Sequence, residues 1–148
     1  MQDKILIIAS RFNDMIVSSL VNGAKHTLQA AGYDESRVNT LWVPGAFEIP
    51  ALAAKAARSG TYSAIICLGA VIRGETPHFE YVAGPCASGL MNVGIETGLP
   101  IIFGVLTTDT IEQALNRSGL KYGNKGAEAA STALSMLEAA ATLEAWSK

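Results

Sequence analysis

The chain has 148 residues, 49% of them hydrophobic and 16% charged, and a formal net charge of −2. That length suits one domain, here residues 1–148, that buries a core without disulfide or metal staples, and the composition excludes a disordered chain. Lys and Arg are scattered rather than blocked, which excludes an electrostatic footprint for nucleic acid.

Met1-Gln2-Asp3-Lys4 leads straight into a first apolar run, residues 5–9. The run is too short for a signal peptide and has no cleavage site, and nothing approaches the ~18 apolar residues of a membrane span. A cytoplasmic protein without membrane contact is expected. Residues 5–9 have the β-branched content of a fully buried strand. A helix follows over 15–31, with Ile16, Leu20, Ala24 and Leu28 spaced by four and Gly32 as its stop. A second strand is predicted at 38–43 and a second helix at 49–58, stopped by Gly60. The third strand is predicted at 64–68, the third helix at 77–97, stopped by Gly98. The fourth strand is predicted at 101–106. A short helix follows near 110–117, where Thr110 and Gln113 fit a capping box. The last helix is predicted over 126–145, with Ala129, Ala133, Leu137 and Ala141 on one face.

This alternation gives an α/β fold with a parallel sheet covered on both faces. Gly84-Pro85 falls inside the third helix, where proline removes a hydrogen bond. Two cysteines, Cys67 and Cys86, are too few for a disulfide framework, and Cys67 reads as a small buried hydrophobe. The low charge points to subunit contacts, or else to a surface of small alanine-like residues.

Ligands of open α/β sheets bind outside the carboxyl ends of the strands, so the four loops after the strands are the place for chemistry. The first carries Ser10-Arg11-Phe12-Asn13, the second Pro44-Gly45-Ala46-Phe47-Glu48. The third runs from Gly69 through Ala70, Val71, Ile72, Arg73, Gly74, Glu75, Thr76 and Pro77 to His78. The fourth carries Thr107-Thr108-Asp109. Gly69 to Thr76 nearly matches a phosphate loop, but Glu75 stands where the lysine belongs and would repel phosphates, which rejects a nucleotide triphosphatase. What remains is a glycine-bearing turn into a helix, with Thr76 as cap and Pro77 at the first helical position. Such an end either binds an anion or is simply capped. His78 is either a solvated histidine or a proton-transfer group. His26 lies among polar neighbours and reads as surface. Phe12 and Phe47 are either local core plugs or platforms for a planar heterocycle. Arg117 and the stretch Lys121-Tyr122-Gly123-Asn124-Lys125-Gly126 are either a basic connector or a phosphate site.

The residues do not space as a metal cluster, a nucleophile elbow, a dinucleotide fingerprint, a receiver-type acidic pocket or a flavodoxin phosphate loop. Together they indicate a small anionic or heterocyclic ligand handled with acid–base help.

Five motifs, Arg11-Phe12-Asn13, Val43-Pro44-Gly45-Ala46-Phe47-Glu48-Ile49-Pro50, Gly69 to Gly74 with Thr76 and His78, Gly104-Val105-Leu106-Thr107-Thr108, and Gly123-Asn124-Lys125-Gly126, run in that order over nearly the whole chain. With them the sequence resembles the 6,7-dimethyl-8-ribityllumazine synthase family of riboflavin biosynthesis. The resemblance implies a flavodoxin-like three-layer αβα sandwich with a four-stranded parallel sheet. It implies a transferase that condenses 5-amino-6-(D-ribitylamino)uracil with 3,4-dihydroxy-2-butanone 4-phosphate, without metal or organic cofactor. By the same resemblance Phe12 stacks on the pyrimidine. Ala46, Phe47 and Glu48, with Ala70, Val71 and Ile72, hold the ring and ribityl chain. Glu75 and Thr76 hold the phosphate, and His78 transfers protons. Phe103, Arg117 and Lys125 match positions contributed by a neighbouring subunit, with arginine on the phosphate. The resemblance also implies a homopentamer with active sites at subunit interfaces, an icosahedral shell in many members, and riboflavin synthase as a further partner. The arm that many relatives place before the first strand is nearly absent here, which bears on the shell and not on the pentamer.

Overall fold

The computed structural model describes residues 3–148, so Met1 and Gln2, part of the expectation about the chain's start, lie outside it. Strand β1 (Ile5–Ser10) is buried at every position. A strand of Ile, Leu and Ala is stable in that state only when both faces of its sheet are covered. Strand β2 (Val38–Val43) pairs with it on one side and β3 (Ala64–Ile72) on the other, with β4 (Ile101–Thr108) beyond β3. All three pairings are parallel, with Ile5 opposite Val38 and Ala64, and Ile65 opposite Ile101.

Five helices follow in chain order: α1 (Asp14–Ala30), α2 (Ile49–Arg58), α3 (His78–Thr97), α4 (Ile111–Asn116) and α5 (Lys125–Trp146). On one face of the sheet Ile16, Leu20, Ala24 and Leu28 of α1 and Ala129, Ala130 and Ala133 of α5 pack on Ile5, Ile7, Ile66 and Leu68. On the other, Ile49 and Ala53 of α2 and Cys86 and Leu90 of α3 pack on Leu6, Ile8, Ile65 and Cys67. This is the expected flavodoxin-like α/β fold, helices on both sides of a four-stranded parallel sheet. No helix among the described residues is long and apolar enough to cross a membrane.

Several boundaries differ from the sequence expectation, each for a local reason. Strand β3 does not end at Leu68 but runs on to Ile72, so Gly69 is a strand residue and not the start of a loop. A Cβ at Gly69 would lie 2.6 Å from the Ser10 hydroxyl, so glycine is there for a close approach between strands and not for a turn. Helix α3 begins at His78, one residue later than expected, with Pro77 as the capping position and no side-chain cap. Thr110 does cap α4 by accepting from the Gln113 backbone, but the Gln113 side chain accepts from Asp109 N–H instead of closing the box on Thr110. The buried face of α5 fades toward its end: Leu137 is half-buried and Ala141 is exposed. A small antiparallel hairpin, β5 (Ser118–Leu120) with β6 (Gly123–Asn124), precedes α5 and was not foreseen.

The helix continues through Pro85. Gly84 explains how. Proline disfavours the helical region for the residue before it partly through that residue's Cβ, which glycine lacks. The carbonyl left without its partner is that of Tyr81, an exposed residue, as are Gly84 and Pro85, so the loss falls on the solvent side of the helix.

Candidate active site

Parallel strands put the ends of β1, β2 and β3 at one edge of the sheet, and the loops there enclose a cavity of about 700 Å³. The order β2-β1-β3-β4 makes the β1–β3 boundary the place where the connections diverge, the usual ligand crevice of such sheets. From the first loop the cavity takes Phe12. From the second it takes Ala46, Phe47 and Glu48. From the end of β3 come Ala70, Val71 and Ile72, and from the next turn and helix Thr76 and His78. Nine of the residues singled out in the sequence thus converge. Phe12 is 73% and Phe47 61% exposed, which rejects the core-plug alternative for both. Glu75 is exposed in the same turn but does not line the cavity.

The backbone holds these loops in place. Arg11 N–H donates to Val43 O (2.8 Å) and Phe12 N–H to Pro44 O (3.1 Å), extending the β1–β2 ladder past the strand ends. Asn13 adopts a left-handed conformation (φ 63°, ψ 43°) at the cap of α1, and its Nδ2 donates to Ala70 O at 3.0 Å. Asparagine tolerates that region better than other side chains. It therefore turns the chain into α1 and ties the Phe12 loop to the far wall in one step.

Phe103, Arg117 and Lys125 are not in this cavity. They border a second recess of about 490 Å³ beside β4, with Gln113, Tyr122 and Glu128. The Arg117 Nη1 donates to Gln113 O at 3.1 Å, and the guanidinium stands 5.3 Å from the Tyr122 ring centroid. Gly123-Asn124-Lys125-Gly126 is mostly a folding device. Gly123 has φ 78°. Asn124 caps α5 through Ala127 N–H and donates to Ser19 O at 3.0 Å. A Cβ at Gly126 would lie 1.8 Å from Leu20 O. Only Lys125 of the four opens onto the recess. A groove of about 840 Å³ between α1 and β2 is larger, but holds none of the predicted residues.

A family model described as 6,7-dimethyl-8-ribityllumazine synthase matches residues 2–141. A curated relative from Protochlamydia amoebophila (strain UWE25), named 6,7-dimethyl-8-ribityllumazine synthase, is 53% identical over 135 residues. The match covers 91% of this chain and 78% of that relative. The chain belongs to the 6,7-dimethyl-8-ribityllumazine synthase family. It is accordingly a transferase of riboflavin biosynthesis.

For a member of this family the structure adds residues that sequence reasoning left without a role. Asn13 was visible in the Arg11-Phe12-Asn13 motif, and its tolerance of positive φ was the available signal. Pro44, Gly45 and Gly74, which the sequence had placed in the candidate loops without a role, complete the cavity wall with Phe79, Tyr81 and Val82, which only the fold reveals. The cysteines take no part. Cys67 and Cys86 are free and buried, and burial raises the Cys86 thiol to about 11 and Cys67 further, so neither is a thiolate near neutral pH. Among the described residues no three His, Cys, Asp or Glu side chains group as a metal would need.

Proposed function

We propose that this protein condenses 5-amino-6-(D-ribitylamino)uracil with 3,4-dihydroxy-2-butanone 4-phosphate to 6,7-dimethyl-8-ribityllumazine, releasing phosphate and water. The observation that carries this is the cavity in which two exposed aromatics from separate loops stand with a histidine and a helix start. Membership of a family named for 6,7-dimethyl-8-ribityllumazine synthase supports a planar heterocycle there. Phe12 stacks on the ring. Ala46, Phe47 and Glu48, with Ala70, Val71 and Ile72, hold the ring and ribityl chain. The turn of Glu75 and Thr76 takes the phosphate, where the amide groups of the first turn of α3 favour an anion.

In the reaction the 5-amino group attacks the ketone carbonyl and forms a Schiff base with loss of one water. Phosphate is eliminated, the ribitylamino nitrogen attacks the carbonyl that the elimination leaves on the four-carbon unit, and a second water departs as the ring closes. Each step moves a proton, and His78, exposed to the cavity, is the group suited to that near neutral pH. Much of the acceleration comes from holding two reactants together, which converts a bimolecular encounter into a local one.

A leaving phosphate needs full positive charge, and no Arg or Lys side chain lines the first cavity. Arg117, with Phe103 and Lys125, stands in the other recess. We infer that the chain is one domain and that subunits assemble as a pentamer, each lending this recess to a neighbour's cavity. The exposed apolar residues Met91, Ile95 and Leu120 favour assembly over a free monomer. Incubation with both substrates, followed by lumazine absorbance, tests the reading. Product formation supports it, whereas tight lumazine binding without turnover would indicate a carrier.

A further inference from the structure

Arg73 follows the last residue of β3, and its backbone N–H donates to Thr108 O at 2.8 Å, so its Cα is fixed by the sheet. Its side chain joins three things. Nη1 bonds Glu80 Oε1 on the first turn of α3, Nε bonds Asp109 Oδ1 at 2.9 Å, and the guanidinium lies 4.3 Å from the centroid of Phe79. Asp109 is itself anchored, since its N–H donates to the Gln113 side chain at 2.8 Å. Between Arg73 and Glu80 lie Gly74 to Phe79, the segment that carries Thr76 and His78 into the cavity. Pro77, at the start of α3, makes no side-chain cap bond. Arg73 is thus the clasp that closes this turn at both ends.

We propose that Arg73 is a positioning residue that sets Thr76 and His78 by clasping Glu80 and Asp109. This rests on the reaction proposed above. Arg73 does not serve as a phosphate ligand, because two carboxylates already occupy its fork and would repel an incoming anion. The pyrimidine side of the cavity, built from Phe12, the loop after β2 and Ala70 to Ile72, is held by the sheet ladder and not by the Arg73 side chain.

The test is steady-state kinetics on the full chain with each substrate varied in turn. Arg73→Ala is expected to lower kcat and raise KM for the butanone phosphate, by about three- to tenfold together, as suits a network of exposed ion pairs. KM for the pyrimidine stays unchanged. Arg73→Lys recovers part of the loss, since an ammonium holds one carboxylate but not the fork. Glu80→Gln and Asp109→Asn each shift the same parameters in the same direction. If those two variants instead tightened the butanone phosphate, Arg73 would be a direct ligand released from its carboxylates, and the proposal would be wrong. An Arg73→Ala variant with wild-type parameters would overturn it as well. Amide hydrogen exchange over residues 75–80 requires no turnover. Arg73→Ala should speed it by about three- to tenfold, and unchanged exchange would reject the clasp even if the reaction were another one. Inactivity of the wild-type chain with both substrates would instead count against the reaction.

Discussion

His78 opens onto the cavity from the first turn of α3, in a site whose walls are otherwise mostly apolar. Replacing it with Ala removes proton transfer but leaves both substrates held side by side. Turnover should therefore fall by about 10²–10³ rather than vanish. Single-turnover lumazine formation measures this, and a loss under about twofold would place His78 outside the chemistry. The neighbouring pair is set differently. The hydrogen bond from Arg73 holds the Glu80 carboxyl below its ordinary range and raises the Arg73 guanidinium. A depressed carboxylate contributes above its ordinary titration range and loses that contribution as pH falls through the lowered value. The clasp is therefore complete at neutral pH. At this scale the sequence was legible wherever a residue type was out of place for a plain turn, as with Phe12, Phe47 and His78. Arg73 was hidden, because an arginine after a strand has no signature until the fold brings Glu80 and Asp109 to it.

The elements were legible where apolar spacing and a terminating glycine agree. Helix α2 matches its expected limits, and the buried stripe of α1 holds all four predicted residues, widened by Val17 and Val21. The third strand was misjudged because Gly69 looks like a break. Its real reason is the Ser10 hydroxyl against it, a contact between residues far apart in sequence. The β5–β6 hairpin was missed because strands of three and two residues carry no alternation. Helices α1 and α5 approach so closely at Gly126 that a Cβ there would run into the Leu20 carbonyl. Gly126→Ala forces a methyl into that carbonyl, and the helices must separate. The expected cost is about 3 kcal/mol, at the upper end for overpacking, read as a lower denaturant midpoint. A midpoint equal to wild type would mean that α1 and α5 do not approach as described.

At the scale of the whole molecule, the proposed shared site divides between two recesses of one chain that do not meet. His78 and Phe12 stand at the edge of β1 and β3, while Phe103, Arg117 and Lys125 stand beside β4. The resemblance in the sequence already set Phe103, Arg117 and Lys125 apart as residues that serve a neighbour, and the strand order keeps them away from the first cavity. A closed ring of identical subunits joined head to tail pairs each first half with the second half of a neighbour. This has a consequence that neither half shows alone. His78→Ala damages the first half only, and Arg117→Ala the second half only, where a lost charge-assisted contact should weaken the phosphate substrate roughly ten- to hundredfold. When the two variants are co-expressed, some interfaces join an intact first half to an intact second half. With random mixing that is about a quarter of the sites. Mixed assemblies should therefore regain about a quarter of wild-type turnover at limiting butanone phosphate, well above either variant by itself. Sedimentation of the same samples should show one species of at least five subunits' mass, as the family resemblance implies. Mixed assemblies no more active than the average of the two variants would mean that each chain completes its own site, and the shared-site arrangement would fall.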